Sequence, residues 1–560
     1  MNNSIVQNNS GIIQNFEIDQ KNIINEIKEN PMEMVLNIES LLYEISKFLT
    51  FEEVKTFYSV NKKLNNIFRN NIKEIKYDGI IRCPSIIKKF THLKYMEFLT
   101  GKPADLSILK AESFQKLEKL KITGRIKDDD DSPIEGLKEL KTLILISNNC
   151  MTYKNISYLR NLNKISVLDL GGNLLKDINV LTQLPSLRSL SLQGCSLTEL
   201  SILNHKNFMK LEKLYIGLNR EIKDYSFLQN LQNLDTLNVY QNNINRIDFI
   251  DLLNSELVTE FNLGNNIISD YTPLLRFNNL KNLSLYNNKI TSIEFLTNRN
   301  FGNLEYLNLD NNRLIKDYNP LKTLKKLKTI KLSNCSITNL SFLKNDNLDE
   351  VDSIYLSSNK IEDISFLSSF TKLKYLNLYN NKQQDLNSLN NLYFCEKITE
   401  LQLGMTKISS MEFLINFKNI KTLNLIKCFI ENISFLAMDN LANIEKLSLA
   451  KNLIVDASPI SNLKQLKILL LNENNIKNID FLKNNNLLIE CLNLSRNEIN
   501  DFSVLLELPK LETLYIERQI FQKQFDLQNY LDFIEKIKTN LRIFKHNNND
   551  NIYYYYLFDI

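Results

Sequence analysis

Apolar residues recur along most of this chain in one phrase. The stretch Leu280-Lys-Asn-Leu283-Ser-Leu285-Tyr-Asn-Asn288-Lys-Ile290 gives its form, L-x-x-L-x-L-x-x-N-x-I, and a short segment ending in Phe-Leu or Pro-Leu closes it. The position after L-x-L-x-x can be followed through Asn148, Asn173, Cys195, Asn219, Asn242, Asn266, Asn288, Asn312, Cys335, Asn359, Asn381, Thr406, Cys428, Asn452, Asn474, Asn497 and Gln519. Successive members stand 22 to 25 residues apart, so the period is not an accident of composition. Weaker turns at Phe98 and Ile122 carry it toward the N-terminus.

The alternation in L-x-L is that of a short strand with both leucines facing inward. Strands of successive repeats then stack as a parallel sheet at ~4.8 Å spacing. After each strand the chain turns inside the core, and the turn leaves backbone groups that need partners. Asn brings one acceptor and two donors, so a column of Asn bonds the turns of neighbouring repeats. Cys195, Cys335, Cys428 and Thr406 are small and donate more weakly in the same column, which makes the cysteines ladder residues rather than redox or metal groups. The return segments read Asp-Ile-Ser-Phe-Leu (363–367), Asn-Ile-Ser-Phe-Leu (432–436), Asp-Tyr-Thr-Pro-Leu (270–274) and Asp-Tyr-Asn-Pro-Leu (317–321). They are too short for a regular helix and predict a 3₁₀ turn or a single helical turn.

The phrase resembles the leucine-rich repeat over residues 93 to 519, in the 22-residue class found in internalins and in a leucine-rich regulatory subunit of protein phosphatase. The resemblance implies an α/β solenoid of about nineteen repeats, with a parallel sheet on a concave face and short 3₁₀ or helical turns on a convex face. The solenoid is assigned to residues 79–519.

Both ends of such an array need covers. At the C-terminus, residues 520–560 read as a helix-strand cap. Leu527, Tyr530, Leu531, Ile534, Ile537 and Leu541 recur at helical spacing, and Ile552-Tyr-Tyr-Tyr-Tyr-Leu-Phe558 reads as a strand. The four-tyrosine run is alternatively a binding tag. At the N-terminus, residues 1–30 form a polar, Asn-rich tail of disordered composition. A helical module follows over 31–78, with one apolar face at Leu41, Leu42, Ile45, Phe48 and Leu49 and a second at Val54, Phe57, Val60, Leu64 and Ile67.

The string from Leu41 to Ile67 resembles an F-box in Ile45, in Phe48-Leu49, in the acidic residue before Val54, and in Val60 with the basic pair Lys62-Lys63 after it. Leu64 stands where the family has an aromatic, and Asn37-Ile-Glu-Ser40 stands where it opens with Leu-Pro-x-Glu. The resemblance implies that Leu41, Leu42, Ile45, Phe48, Leu49, Val54, Phe57 and Val60 bind a Skp-type adaptor and, through it, a cullin. The other reading of the same residues is a plain helical cap for the solenoid.

Charge changes this picture little. The 68 basic and 64 acidic residues leave a net charge of +4, so nothing global points to nucleic acid or an anionic membrane. No run approaches the ~18 apolar residues a membrane span needs, and Met1 to Ser10 does not read as a secretory signal. Seven scattered cysteines with no C-x-x-C pair fit a reducing, intracellular compartment, with cytoplasm expected and nucleus allowed. Only His92, His205 and His546 are present, and no nucleophile–base pair, phosphate loop or zinc spacing appears. Asp128–Asp131 lacks the alternating ligands and glycine of a calcium loop and reads as a solvated insertion. No enzyme activity and no cofactor are expected.

Side chains between the strand leucines face the concave sheet, where substitution costs little stability. Tyrosines gather there, and Tyr286, Tyr306, Tyr355, Tyr375 and Tyr379 are the candidate contacts for a protein target. The competing reading is that these rings only fill gaps between neighbouring strands. Lys427, Lys446, Lys451, Arg496 and Arg518 add positive charge further on, against Glu473 and Glu517. The function expected is substrate recognition in a cullin-type ubiquitin ligase. The alternative is a scaffold, phosphatase regulator or effector-like binder with no ubiquitin role.

Overall fold

The computed structural model describes residues 74–77, 92–99, 106–124, 132–146, 155–343, 348–382, 386, 393–483, 488–499, 501–517 and 543–545. The chain divides into two compact units, Met1–Leu234 and Asp235–Ile560. In the first unit, seven described strands run parallel from Glu74–Tyr77 to Lys213–Tyr215. Their register places Leu120, Leu143, Leu168, Leu190 and Leu214 opposite one another in sequence. In the second unit the strands run from Thr236–Asn238 to Thr513–Tyr515, and Ile543–Lys545 joins the end of the same sheet. There Leu283, Leu307, Ile330, Ile354 and Leu376 face one another across successive strands. Each of these is the first apolar residue of its L-x-L, so among these described strands the register does not slip by a residue. Such a slip would turn every leucine to solvent.

Both leucines of the phrase are buried, as at Leu283 and Leu285 or Leu307 and Leu309. The return segments are the 3₁₀ turns expected, for example Thr272–Arg276, Asn319–Thr323, Ser365–Ser369 and Ser434–Ala437. Their sequences explain their starts. Asp270, Asp317, Asp363 and Asn432 each accept the backbone N–H two residues on, at 2.9, 2.9, 2.8 and 2.7 Å. Pro273 and Pro320 occupy the first positions of their turns, where no N–H is needed.

The Asn column works as its chemistry requires. Asn359 Nδ2 donates to the carbonyls of Leu356 at 2.9 Å and Leu332 at 2.8 Å, while its Oδ1 accepts the backbone N–H groups of Cys335 at 2.9 Å and Ile337 at 3.0 Å. One side chain thus ties its own turn to the preceding one. The cysteines substitute as donors: Sγ of Cys195, Cys335 and Cys428 lies 3.1, 3.2 and 3.4 Å from the carbonyls of Leu170, Leu309 and Leu403. Burial pushes the Cys195 thiol up to about 12 and the other two to about 11, so all three keep their protons at neutral pH.

Thr406 departs from the expectation, because its buried hydroxyl makes no hydrogen bond. Threonine is one atom too short to span two turns. Thr406→Asn should therefore stabilise the second unit by about 1 kcal/mol, read as a higher midpoint in denaturant melts. An unchanged or lower midpoint would mean that the backbone there cannot receive the amide.

Two further regularities escaped the periodic reading. The residue before the ladder position takes a positive φ, as at Asn265, Asn287, Asn311, Asn380, Lys427 and Lys451. Asn tolerates that region better than most residues, which accounts for the repeated Asn-Asn doublets. A second Asn column lies between the strand leucines. Asn262, Asn308, Asn377, Asn424 and Asn493 each accept the N–H of the residue two further on. The Asn richness of the chain is therefore structural at these positions.

At the ends, Glu74–Tyr77 pairs in parallel with Tyr95–Phe98, so the sheet begins inside the span 31–78 rather than at residue 79. Glu-Ile-Lys-Tyr alternates as a strand does, but four residues are too few to stand out from the helical pattern before them. Ile543–Lys545 pairs with Thr513–Tyr515 in a stretch that the apolar pattern assigned to no element. The tail 1–30, the rest of the helical module, Asp128–Asp131, Asn148, Gln519, the helix over 527–541 and the strand over 552–558 lie outside the described residues.

Candidate recognition surface

Each repeat presents three side chains on the open face of the sheet: one before, one between and one after the strand leucines. Tyr306 and Tyr375 take the first position, Tyr355 the middle one, and Tyr286 and Tyr379 the third. Lys331 takes the middle position of its strand and pairs in register with Asn308 on one side and Tyr355 on the other. Its ammonium lies 4.4 Å from the Tyr355 ring centroid and 5.9 Å from that of Tyr306. The Tyr355 and Tyr375 rings stack at 4.4 Å with 27° between their planes. Tyr306, Lys331, Tyr355 and Tyr375 thus make one run across four successive repeats, held by cation–π and stacking contacts.

Tyr286 and Tyr379 belong to a different arrangement. A Cβ placed on Gly264 would stand 2.1 Å from the Tyr286 ring, and one on Gly404 would stand 2.7 Å from the Tyr379 ring. These two rings fill the space that glycine leaves in the neighbouring repeat. The five tyrosines divide accordingly: Tyr306 and Tyr355 are joined through Lys331 and Tyr375 stacks on Tyr355, whereas Tyr286 and Tyr379 pack over glycines in the third column. Periodicity alone missed Lys331, although its place between two strand leucines was visible in Thr329-Ile-Lys-Leu332.

Asp310 adds a titratable group beside this run. Its carboxylate accepts the N–H of Ser333, and burial pushes its pKa up to about 6 against the lowering effects of that bond and of Lys331. Because the folded value lies above the ordinary carboxylate value, the stabilisation it brings is complete below about pH 4 and is lost as pH rises through about 6. Asp310→Asn keeps an acceptor for Ser333 and removes the buried charge. The variant should be more stable than the native chain at pH 7.5, by up to about 2 kcal/mol, and equal to it near pH 4. Melts at both values check this, and an equal difference at the two pH values would remove Asp310 as the cause.

Further along the face, positive charge is offset. Lys451 and Arg496 both lie 3.6 Å from Glu473, and Arg518 lies outside the described residues. In the first unit, the small residues Gly171, Gly172 and Gly194 leave a hollow of about 810 Å³ on the sheet, rimmed by Ile144, Ile146, Tyr215 and Leu218. His205 serves its own backbone, its Nδ1 accepting the N–H of Asn207 at 3.3 Å. Among the described residues no group of three His, Cys, Asp or Glu side chains is placed to hold a metal, and no helix is long and apolar enough to cross a membrane. Leu41, Leu42, Ile45, Phe48, Leu49, Val54, Phe57 and Val60 lie outside the described residues.

No curated protein matches this chain. Solved structures similar to it include a leucine-rich-repeat protein of Leptospira interrogans, 20% identical, with 81% of this chain and 98% of that one covered and a TM-score of 0.38. The ectodomain of a plant membrane receptor kinase from Arabidopsis thaliana is 18% identical, with 84% and 64% covered and a TM-score of 0.38. An internalin of Listeria monocytogenes is 20% identical, with 80% and 88% covered and a TM-score of 0.21. The family model for leucine rich repeats in two copies matches residues 350–391, the stretch that contains Tyr355, Tyr375 and Tyr379. The same Asn ladder, parallel register and 3₁₀ return turns recur in the described repeats of both units, so the leucine-rich repeat matched at residues 350–391 is the unit from which the described fold is built.

Proposed function

We propose that this chain is a non-catalytic recognition protein that holds another protein against the sheet of its second unit, over Tyr306, Lys331, Tyr355 and Tyr375. The observation that carries this reading is their joint contact on the face opposite the leucine core. None of the four is needed to fill that core. Large aromatic side chains beside a cation give contact area, a polar tip and little entropy loss on binding. Tyr286 and Tyr379 flank the run as secondary contacts.

In its finer form, the proposal makes the chain a substrate-recognition subunit of a cullin-type ubiquitin ligase, acting in the cytoplasm or nucleus. The F-box-like string supports this through the spacing of its apolar residues and its place directly ahead of the repeats. Leu41, Leu42, Ile45, Phe48, Leu49, Val54, Phe57 and Val60 would supply an adaptor interface of roughly 1,200–2,000 Å². A carboxylate buried there without a counter-ion is prohibitive. Ile45→Asp with Leu49→Asp should therefore abolish co-purification of the Skp-type adaptor and cullin while the repeat melt stays unchanged. A native chain that brings down no adaptor sinks the ligase form and leaves a scaffold without ubiquitin function.

A further inference from the structure

The sheet face of the first unit carries a glycine whose space is left open. In the second unit the ring of Tyr286, from the next repeat, closes over Gly264, and Ile426 and Tyr379 close over Gly404. Gly171 holds the same column, two residues after Asp169, and the residue that stands to it as Tyr286 stands to Gly264 is Gln193. The three atoms nearest a Cβ on Gly171 would all be oxygens: Asp169 Oδ1 at 3.2 Å, the Gln193 carbonyl at 3.6 Å and Ser191 Oγ at 3.9 Å. Gly172 and Gly194 take the positive-φ positions, at 75° and 63°, that Asn or Lys fill in other repeats. No side chain enters from there. What remains is the hollow of about 810 Å³ between Ile144 and Ile146 on one side and Tyr215 and Leu218 on the other.

Asp169 is the one charged side chain among the described residues that line it, and it is only part-buried. It accepts the N–H of Gly171 at 2.9 Å, the bond that Asn238, Asn262, Asn308, Asn377, Asn424 and Asn493 make in the same column. An amide therefore meets the needs of the fold, and the charge of Asp169 serves no bond within it. Among the described residues no lysine or arginine pairs with it. Ile144, Asp169, Ser191 and Tyr215 stand opposite one another in successive strands. At ~4.8 Å per strand, Asp169 and Tyr215 are about 10 Å apart with only a serine between them. A cation bonded to Asp169 over Ser191 would face the Tyr215 ring, an attraction the chain already uses where Lys331 lies 4.4 Å from the Tyr355 ring centroid.

We infer that this hollow takes an arginine side chain presented by a protein partner, with the guanidinium on Asp169 and the methylenes against Ile144 and Ile146. A planar guanidinium has five N–H donors, which suits a floor of oxygens from Asp169, Ser191 and Gln193 better than a compact ammonium does. Its apolar stem suits the isoleucine wall. Free arginine would bring a carboxylate that no cation in the hollow could pair, whereas a residue within a chain brings none. The tyrosine run of the second unit plays no part in this site.

Saturation-transfer difference NMR on the full chain tests it, with N-acetyl-arginine N-methylamide as the probe. Transfer to the side-chain methylenes is expected, and the uncharged citrulline derivative of the same shape should give at least about fivefold less. Asp169→Asn keeps the bond to Gly171 and should weaken the arginine signal to the same extent. Gln193→Tyr should also remove it, by setting over Gly171 the ring that Tyr286 sets over Gly264. Melting curves recorded beside the native protein check that both variants fold, and the citrulline comparison needs the native chain alone. No transfer from the blocked arginine, equal transfer from the citrulline derivative, a stronger signal from free arginine, or a signal untouched in a folded Asp169→Asn variant overturns the proposal.

Discussion

Replacing Asn312 with Leu should cost the second unit at least about 3 kcal/mol, far more than the loss of a tyrosine on the sheet face. Asn312 is fully buried and bonds two turns at once. Its Nδ2 donates to the carbonyls of Leu309 at 2.9 Å and Leu285 at 3.0 Å. Its Oδ1 accepts the N–H groups of Asn288 at 2.9 Å and Ile290 at 3.2 Å. Leucine matches the volume and strands the N–H groups of Asn288 and Ile290 where water cannot reach, each worth ~1–3 kcal/mol, while the carbonyls of Leu285 and Leu309 keep Asn288 Nδ2 and Cys335 Sγ as donors. Asn288→Leu should behave in the same way. Tyr306→Ala removes a half-buried ring from the open face and should cost about 1 kcal/mol. Denaturant melts of the variants decide the matter. A tyrosine change more damaging than the ladder change would mean that the repeat register is wrong.

The parts of the fold that could be read from sequence were those set by hydrogen-bond demand and by periodicity. The strand leucines, the ladder Asn and Cys residues and the Asp-x-Ser and Asp-x-Thr-Pro turn starts all follow from what a buried turn requires. Thr406 shows the limit, since a hydroxyl that is chemically able to bond proved too short to reach. Glu74–Tyr77 and Ile543–Lys545 went unread because a three- or four-residue strand acquires meaning only from the neighbour it pairs with. The candidate surface was half legible. Tyrosines could be assigned to the sheet face, but which of them touch depends on the column each occupies and on its neighbour across the strand. Lys331 joins Tyr306 to Tyr355, whereas Gly264 and Gly404 draw Tyr286 and Tyr379 into gap filling. The packing reading thus describes Tyr286 and Tyr379, while the binding reading of Tyr306, Tyr355 and Tyr375 is the one proposed.

That division sharpens the second large effect. Tyr306, Tyr355 and Tyr375 replaced together by Ser should lower affinity for the protein partner at least a hundredfold, since two lost aromatic anchors at ~2 kcal/mol each already exceed that. The same triple change removes one stacked pair and one cation–π network from an open face. It leaves every leucine and every ladder Asn in place, so the melting midpoint should fall by only about 3 °C. Tyr286→Ser with Tyr379→Ser should show the opposite balance, with a larger loss of stability and a smaller loss of binding, because those rings fill the space over glycines.

The most direct measurement is quantitative affinity purification of the native chain beside the Tyr306, Tyr355 and Tyr375 triple variant, with their melting curves recorded in parallel. Partners recovered by the native protein should be missing from the variant while the two curves nearly coincide. Equal recovery by both proteins would contradict recognition through this face.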